Sequence, residues 1–525
     1  MAILEVPSAH ATIVAAQIAA TDGDIINVAA GAYTETSAIG YVSGKSLTVR
    51  GDSGSERTEV IIRATPGNAY GFRPMSSGKT LTLENLTIEI DHTQSPVWAC
   101  IFAAADTNIS LSNVWVRIID QGASQYIIRS DSGSLITAVN CKISSECGLV
   151  NLWKRFLQTT MTWDTCDFYD IRFWSYSNGG ANTNLAGEHH FVDCTFSRVT
   201  ETTGVIYIHF HDGTAAKEAI TCTNTSFYGI EGKETYQSGF YRNDVTVDND
   251  VITGCFFQHL AIAITIADYS GAEGTAENVR ITNNTIEDCE NVGVSCGTLR
   301  PVIQGNSFYH TSTFTPTEQF HAILPGSNAR AHFTNKQGKG SIITGNYADI
   351  KSGYLLVDKG DDILFFGNYG ILRGDAGAVF YIKGGNGGQY RGNVCVSNQR
   401  LLTVATWVGH TPEDWVVEDN LFVTEGGDYI VSDVDGVDMS QGTIGNNRYK
   451  GTPAVAFYND SGIARDWSWW QANTNDSTST YPDTDAWTDE GREKLLIHSF
   501  TSGKPYFPQM RIGSAGSWSG DGWRK

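Results

Sequence analysis

The chain of 525 residues carries 36 Lys and Arg against 57 Asp and Glu, and a formal charge of -21 argues against nucleic acid or anionic membranes as partners. No uninterrupted apolar run reaches the roughly 18 residues that a membrane helix needs, so no membrane insertion is expected. A hydrophobic content of 41 % with 55 glycines suits a turn-rich all-β protein. Read from the front, MAILEVPSAHATIV lacks a basic n-region and a long apolar h-region, so no cleavable secretory signal is expected there. The next segment, ATIVAAQIAA at residues 11–20, has a helix-forming, apolar-rich composition and is stopped by Asp22-Gly23. It predicts a capping helix.

Beyond it the chain repeats itself. IQGNSF at Ile303 to Phe308 returns as IITGNYA, LFFGNYG, YRGNV, VEDNLF and ITNNTI. Aligned on the residue at the Asn306 position, the anchors are Leu86, Val114, Cys141, Cys166, Cys194, Thr225, Cys255, Asn284, Asn306, Asn346, Asn368, Asn393, Asn420 and Asn447. Their period is about 26 residues, in the range of solenoids and propellers. Three residues before each anchor, and two after it, the side chain is apolar, with Gly370 the plain exception. The residue just before the anchor is Gly, Asn or Asp in every unit except Thr165. These residues enter the left-handed region most cheaply, which predicts a sharp bend between two short strands. The fold predicted is therefore all-β, a right-handed single-stranded parallel β-helix of at least fourteen coils. An amide turned inward beside each bend can bond its twin one coil away, so an internal Asn column is expected. In the earlier coils Cys141, Cys166, Cys194 and Cys255 fill that slot as small hydrophobes, and free thiols are expected rather than disulfides.

The divisions that follow are 1–46 as N-terminal cap and first coil, 47–450 as the β-helix with an insertion near 309–340, and 451–525 as a Trp-rich cap or attachment segment. Six of the 13 tryptophans, Trp467, Trp469, Trp470, Trp487, Trp518 and Trp523, lie in this last part. GDIINVAAGAYTET at residues 23–36, followed by LTVRGDSG from Leu47, resembles the opening segment of the pectate-lyase-like superfamily of right-handed β-helices. RDWSWWQANTNDSTS at residues 465–479 resembles the closing segment of secreted and phage β-helix proteins. The resemblance implies the fold; its members include lyases, hydrolases, esterases, epimerases and non-catalytic adhesins, so function must come from a site.

One face concentrates aromatic and ionisable residues. In VIYIHFHD, Ile206, Ile208 and Phe210 read as inward, which turns Tyr207, His209 and His211 outward with Asp212 at the corner. Neighbouring coils add Trp153 and Arg155, Trp174 and Tyr176, Tyr241 and Arg242, and Tyr269. Aromatic faces stack on sugar rings, and His209, His211, Asp212 and Arg242 are the candidates for general acid and base work. The plainer reading is an exposed polar sheet face or a contact between subunits. Asp248-Asn249-Asp250 offers oxygen ligands for Ca2+, against which stands a solvated turn. No metal motif is present otherwise, and no cofactor is expected.

Two functions are compatible with these features. The first is a virion-surface β-helix of the phage tailspike or capsid-decoration kind, bound to a host-surface glycan or to neighbouring virion subunits, with a homotrimer in view and a location on the virion or outside the cell. The second is a polysaccharide lyase or glycoside hydrolase acting on an extended polysaccharide.

Overall fold

The structure is a computed structural model that describes residues 1–482 apart from 36, 41–43, 65–69, 75, 92–98, 121–125, 132, 148–149, 152, 155–158, 178–186, 199–204, 213–218, 233, 235–236, 245–248, 268–276, 326–337, 375–376, 407–410 and 435. It contains two compact units, Met1–Leu260 and Ala261–Lys525. Each is a parallel β-helix in which short strands stack coil on coil into three parallel ladders.

In the first unit, Leu135–Val139, Thr160–Asp164, Glu188–Val192, Ala219–Thr223 and Val251–Thr253 form the first ladder, with Ala138, Trp163, Phe191, Cys222 and Ile252 in one column. After the bend, Lys142–Ser145, Asp167–Tyr169, Thr195–Ser197, Ser226–Tyr228 and Phe256–Gln258 form the second, with Ile143, Phe168, Phe196, Phe227 and Phe257 aligned. The four phenyl rings of that column stack nearly parallel at 4.4, 5.1 and 4.7 Å. Identical residues in identical register give this face-on stack, which continues the core apolar contact from coil to coil. Cys141, Cys166, Cys194 and Cys255 are buried between the two ladders, and each thiol points at a backbone carbonyl.

The second unit repeats the plan. Ile281, Ile303, Ile343, Phe365, Tyr390, Val417 and Ile444 share one column, and Ile286, Phe308, Ala348, Gly370, Cys395, Phe422 and Tyr449 the next. Between them Asn284, Asn306, Asn346, Asn368, Asn393, Asn420 and Asn447 form the expected internal column, each amide donating to the next Oδ1 at 2.9–3.1 Å. Every one of them is buried. Gly370 breaks the apolar rule because a Cβ there would lie 2.7 Å from Leu355 and 2.9 Å from Val379. Those side chains already occupy its place.

All fourteen residues before the anchors have φ between +49° and +67°. Thr165 is the costly one, since a β-branched residue is rarely left-handed, and its hydroxyl donates to Asp164 Oδ1 at 2.9 Å.

Both caps take the places expected of them. The helix Ile13–Ala19 starts at Thr12, whose side chain accepts from Ala15 N, and buries Ile13 and Ala16. Glu35 accepts the Ile13 N–H at 2.8 Å, so the helix start is tied to the first coil. At the other end the helix Trp467–Asn473 buries Trp470, whose indole donates to Asp476 at 2.9 Å. Ser479 then takes the slot beyond the last asparagine, accepting the Asn447 N–H at 2.9 Å.

The third ladder has a kink. In the second unit Leu355 and Leu356 are both buried, as are Val379 with Phe380 and Leu401 with Leu402. The pairing steps from Tyr354↔Ala378 to Leu356↔Phe380, then runs on regularly. Two successive side chains turn inward at the kink, and the alternation of faces changes phase there. The first unit does the same at Tyr207 and Ile208, and its pairing steps from Ile206↔Ser238 to Ile208↔Phe240.

Candidate functional site

The kink decides where the predicted residues fall in the first unit. Backbone register puts Trp174, His209 and Tyr241 in one column and Tyr176, His211 and Asn243 in the column two residues on, with Asp212 paired to Ser177 and Asp244. Tyr241 is half-buried. Trp153 belongs to a different strand group, paired with Ile128. Arg155 and Tyr269 lie outside the described residues.

Two members of the predicted face are interior. Tyr207 is 0 % exposed, its hydroxyl donates to the Tyr228 carbonyl at 2.5 Å, and its ring packs 6.1 Å from Phe196 and 6.3 Å from Phe227. Burial pushes its phenol well up. The outward assignment of Tyr207 is corrected because simple alternation fails at the kink. Arg242 is also 0 % exposed; it shares the column of Phe210, two residues after buried Phe240, and pairs with Asp250 at 2.6 Å. Asp250 is fully buried, accepts the Ile220 N–H at 2.9 Å and is pushed up to about 6 by burial, with Arg242 opposing. It is therefore neither a solvated turn residue nor an open Ca2+ ligand. Arg242 serves this interior pair rather than a surface.

A richer surface lies on the third ladder of the second unit. Before the kink, His321, Tyr354, Ala378 and Arg400 share one column. After it, Val357, Tyr381, Thr403, Ser432 and Asn459 share another. Neighbours along such a column are spaced by about 4.8 Å. The Tyr354 and Tyr381 rings lie 5.0 Å apart and 30° from parallel, and His321 sits 5.4 Å from Tyr354. Lys383 Nζ lies 4.8 Å from the Tyr381 ring centre, within cation–π reach. Gln319 accepts the Tyr354 hydroxyl at 3.0 Å and fixes that ring.

The electrostatics are those of crowded cations. Burial and the charge of Lys383 hold Lys359 down to about 8. Burial and both lysines hold His321 down to about 3, so its imidazole is neutral, and its Nδ1 has no hydrogen-bond partner among the described residues. Burial pushes Tyr354 up to about 12, helped by Tyr381 and opposed by Arg400. Past Arg400 the surface drops into a cavity of about 560 Å³ whose lining includes Ser432, Asn459, Ser461 and Gly462. Among the described residues no cluster of three His, Cys, Asp or Glu could hold a metal ion.

Sequence reasoning passed over this face although a signal was present. YLLVDK and FYIK each place a Tyr in a strand and a Lys at its end or just beyond it, on consecutive coils.

The architecture of each unit, short strands stacked coil on coil into parallel ladders, is that of a parallel β-helix. The chain matches no family model and no curated protein sequence. Among solved structures it is similar to tailspike protein 3 of bacteriophage CBA120, with TM-score 0.38 and 12 % identity over 78 % of this chain; it spans 57 % of the tailspike chain. It is also similar to the PL6 family alginate lyase AlyGC, with TM-score 0.35 and 9 % identity over 88 % of this chain and 79 % of that one. A third is the catalytic domain of a GH87 α-1,3-glucanase, with TM-score 0.31 and 12 % identity over 91 % and 68 %.

Proposed function

We propose that the chain is a polysaccharide-binding β-helix that holds an extended anionic glycan along the His321–Tyr354–Tyr381–Arg400 face, in the setting of a virion surface as a homotrimeric tailspike or decoration protein. The observation that carries this is the stacked pair Tyr354 and Tyr381 flanked by Lys359 and Lys383. In a protein of charge -21, two ammonium groups beside a pair of stacked rings form a local cationic patch, and Lys383 adds to the burial that holds Lys359 down. Two rings held in register on a rigid ladder give a platform for successive sugars at low ordering cost. The acidic remainder of the molecule supports selection of ligands that approach at this face alone.

Lys359 also favours a second reading, as the base of a polysaccharide lyase. A lysine near 8 is a competent base at neutral pH, and Tyr354 lies on the same face. One experiment separates the two. Alginate and polygalacturonate are titrated into the protein by calorimetry, with neutral dextran as control, and the mixtures are then assayed for unsaturated sugar ends. Binding of a polyuronate, about tenfold weaker in a Tyr354→Ala/Tyr381→Ala variant, with no new ends, supports the binding protein. Release of unsaturated ends that is lost in Lys359→Met supports the lyase. Equal behaviour towards dextran and the polyuronates would sink both.

A further inference from the structure

The cavity beyond Arg400 has the construction of a chain-end subsite. It follows the aromatic face directly, since Arg400 shares the His321–Tyr354 column and Ser432 and Asn459 share the Tyr381 column. Its far side is a hairpin in which Ala456–Asp460 turns through Ser461 and Gly462 into the antiparallel strand Ile463–Arg465. This is where the parallel stacking ends.

The wall is built firmly. Asp433 accepts from the Tyr458 hydroxyl at 3.0 Å, from Ser461 N at 2.7 Å and from Ser461 Oγ at 2.8 Å. Asn459 Oδ1 accepts the Gly462 N–H at 2.8 Å, and its amide donates to Ser432 Oγ at 3.3 Å. The acidic group in the cavity is thus committed to the turn, while Arg400 contributes a charge with no ion-pair partner among the described residues.

We infer that this cavity binds the terminal residue of the glycan, a sugar acid whose carboxylate is held by Arg400 and whose hydroxyls are met by Ser432 and Asn459. The inference rests on the aromatic face being the glycan groove. A guanidinium facing a free carboxylate gives charge-assisted recognition that an ester cannot replace, and a glycan lying along the face has its end where the parallel stack ends.

The test uses the full chain with polygalacturonate, digalacturonate and the methyl ester of digalacturonate as probes, and alginate with its disaccharide and ester in parallel. For the polyuronate that binds, its free disaccharide is expected to bind and to compete with it. Arg400→Met is expected to weaken disaccharide binding by about tenfold or more, with its melting curve unchanged. The ester is expected to bind the wild type as weakly as the free acid binds the variant. Tyr381→Ala, by contrast, weakens the polymer far more than the disaccharide. If the polymer binds but the disaccharide does not, or if Arg400→Met and esterification leave disaccharide affinity within about twofold, the end subsite is overturned and the groove stands. If no polyuronate binds, the groove itself is refuted and the subsite falls with it.

Discussion

Arg242 and Asp250 meet at 2.6 Å with both side chains fully buried, an ion pair in the interior beside the ladder column of Met161, His189 and Ile220. Such a pair is costly to break and cheap to replace. Asp250→Asn keeps an acceptor for the Ile220 N–H but takes away the charge that faces the guanidinium, and is expected to cost about 3–5 kcal/mol by urea denaturation. Arg242→Met combined with Asp250→Asn should recover to within about 1–2 kcal/mol of the wild type. Equal loss in the single and double variants would show that packing, not charge, holds this site.

Tyr207 provides a direct check on the kink. Tyr207→Ser removes a ring packed against Phe196 and Phe227 and is expected to cost about 3–5 kcal/mol. Tyr207→Phe loses only the bond to the Tyr228 carbonyl, about 0.5–1.5 kcal/mol. An exposed tyrosine would change stability by less than about 0.5 kcal/mol in either case. Thermal or urea unfolding of the two variants distinguishes these patterns.

The asparagine column should respond differently from the bends beside it. Asn346→Ala leaves both the Asn306 N–H and its amide without the Oδ1 they share, and buries the loss. About 2–4 kcal/mol is expected, since each stranded donor costs its own desolvation. Asn446→Ala, at an exposed bend with φ +53°, should cost about 1–2 kcal/mol through backbone strain alone. Asn446→Gly should be nearly silent. If Asn346→Ala were as mild as Asn446→Gly, the column would be an ornament of the repeat rather than a support.

The repeat made the coils legible because it combines two independent constraints. A left-handed bend restricts one position to Gly, Asn or Asp, and the slot after it faces the interior, so even Thr165 and the cysteines fell into register. The caps were legible from composition and from Asp476 to Ser479 following the last coil. The third ladder was not. Its strands lie far from the anchor, their length varies, and the kink at Tyr207/Ile208 and Leu355/Leu356 reverses alternation without any special residue to mark it. His209 and Trp174 could be placed in one column, but Arg242 two residues past Phe240 could not be recognised as interior without its partner Asp250. Long-range pairing is invisible to local periodicity. The Tyr354–Tyr381 face was overlooked for the same reason, because its two halves lie on opposite sides of the kink.

Lys359 gives the glycan face a pH signature. Its ammonium titrates at about 8 in the folded protein against 10.5 unfolded, chiefly through burial and then through Lys383. Below about 8 it is charged and attracts a polyanion; as pH rises through that value, affinity should fall, by about tenfold for a direct contact. Calorimetry in buffers of different ionisation enthalpy should show proton uptake on binding near pH 8. Lys383→Met removes the second cause of the depression, so the midpoint should move upward and binding should persist to higher pH. Folding carries the opposite sign: Lys359 contributes stability that is present above pH 10.5 and lost as pH falls through about 8, so Lys359→Met should flatten the rise in stability between those values. An affinity that stays level from pH 7 to pH 10 in the wild type would remove Lys359 from the binding surface.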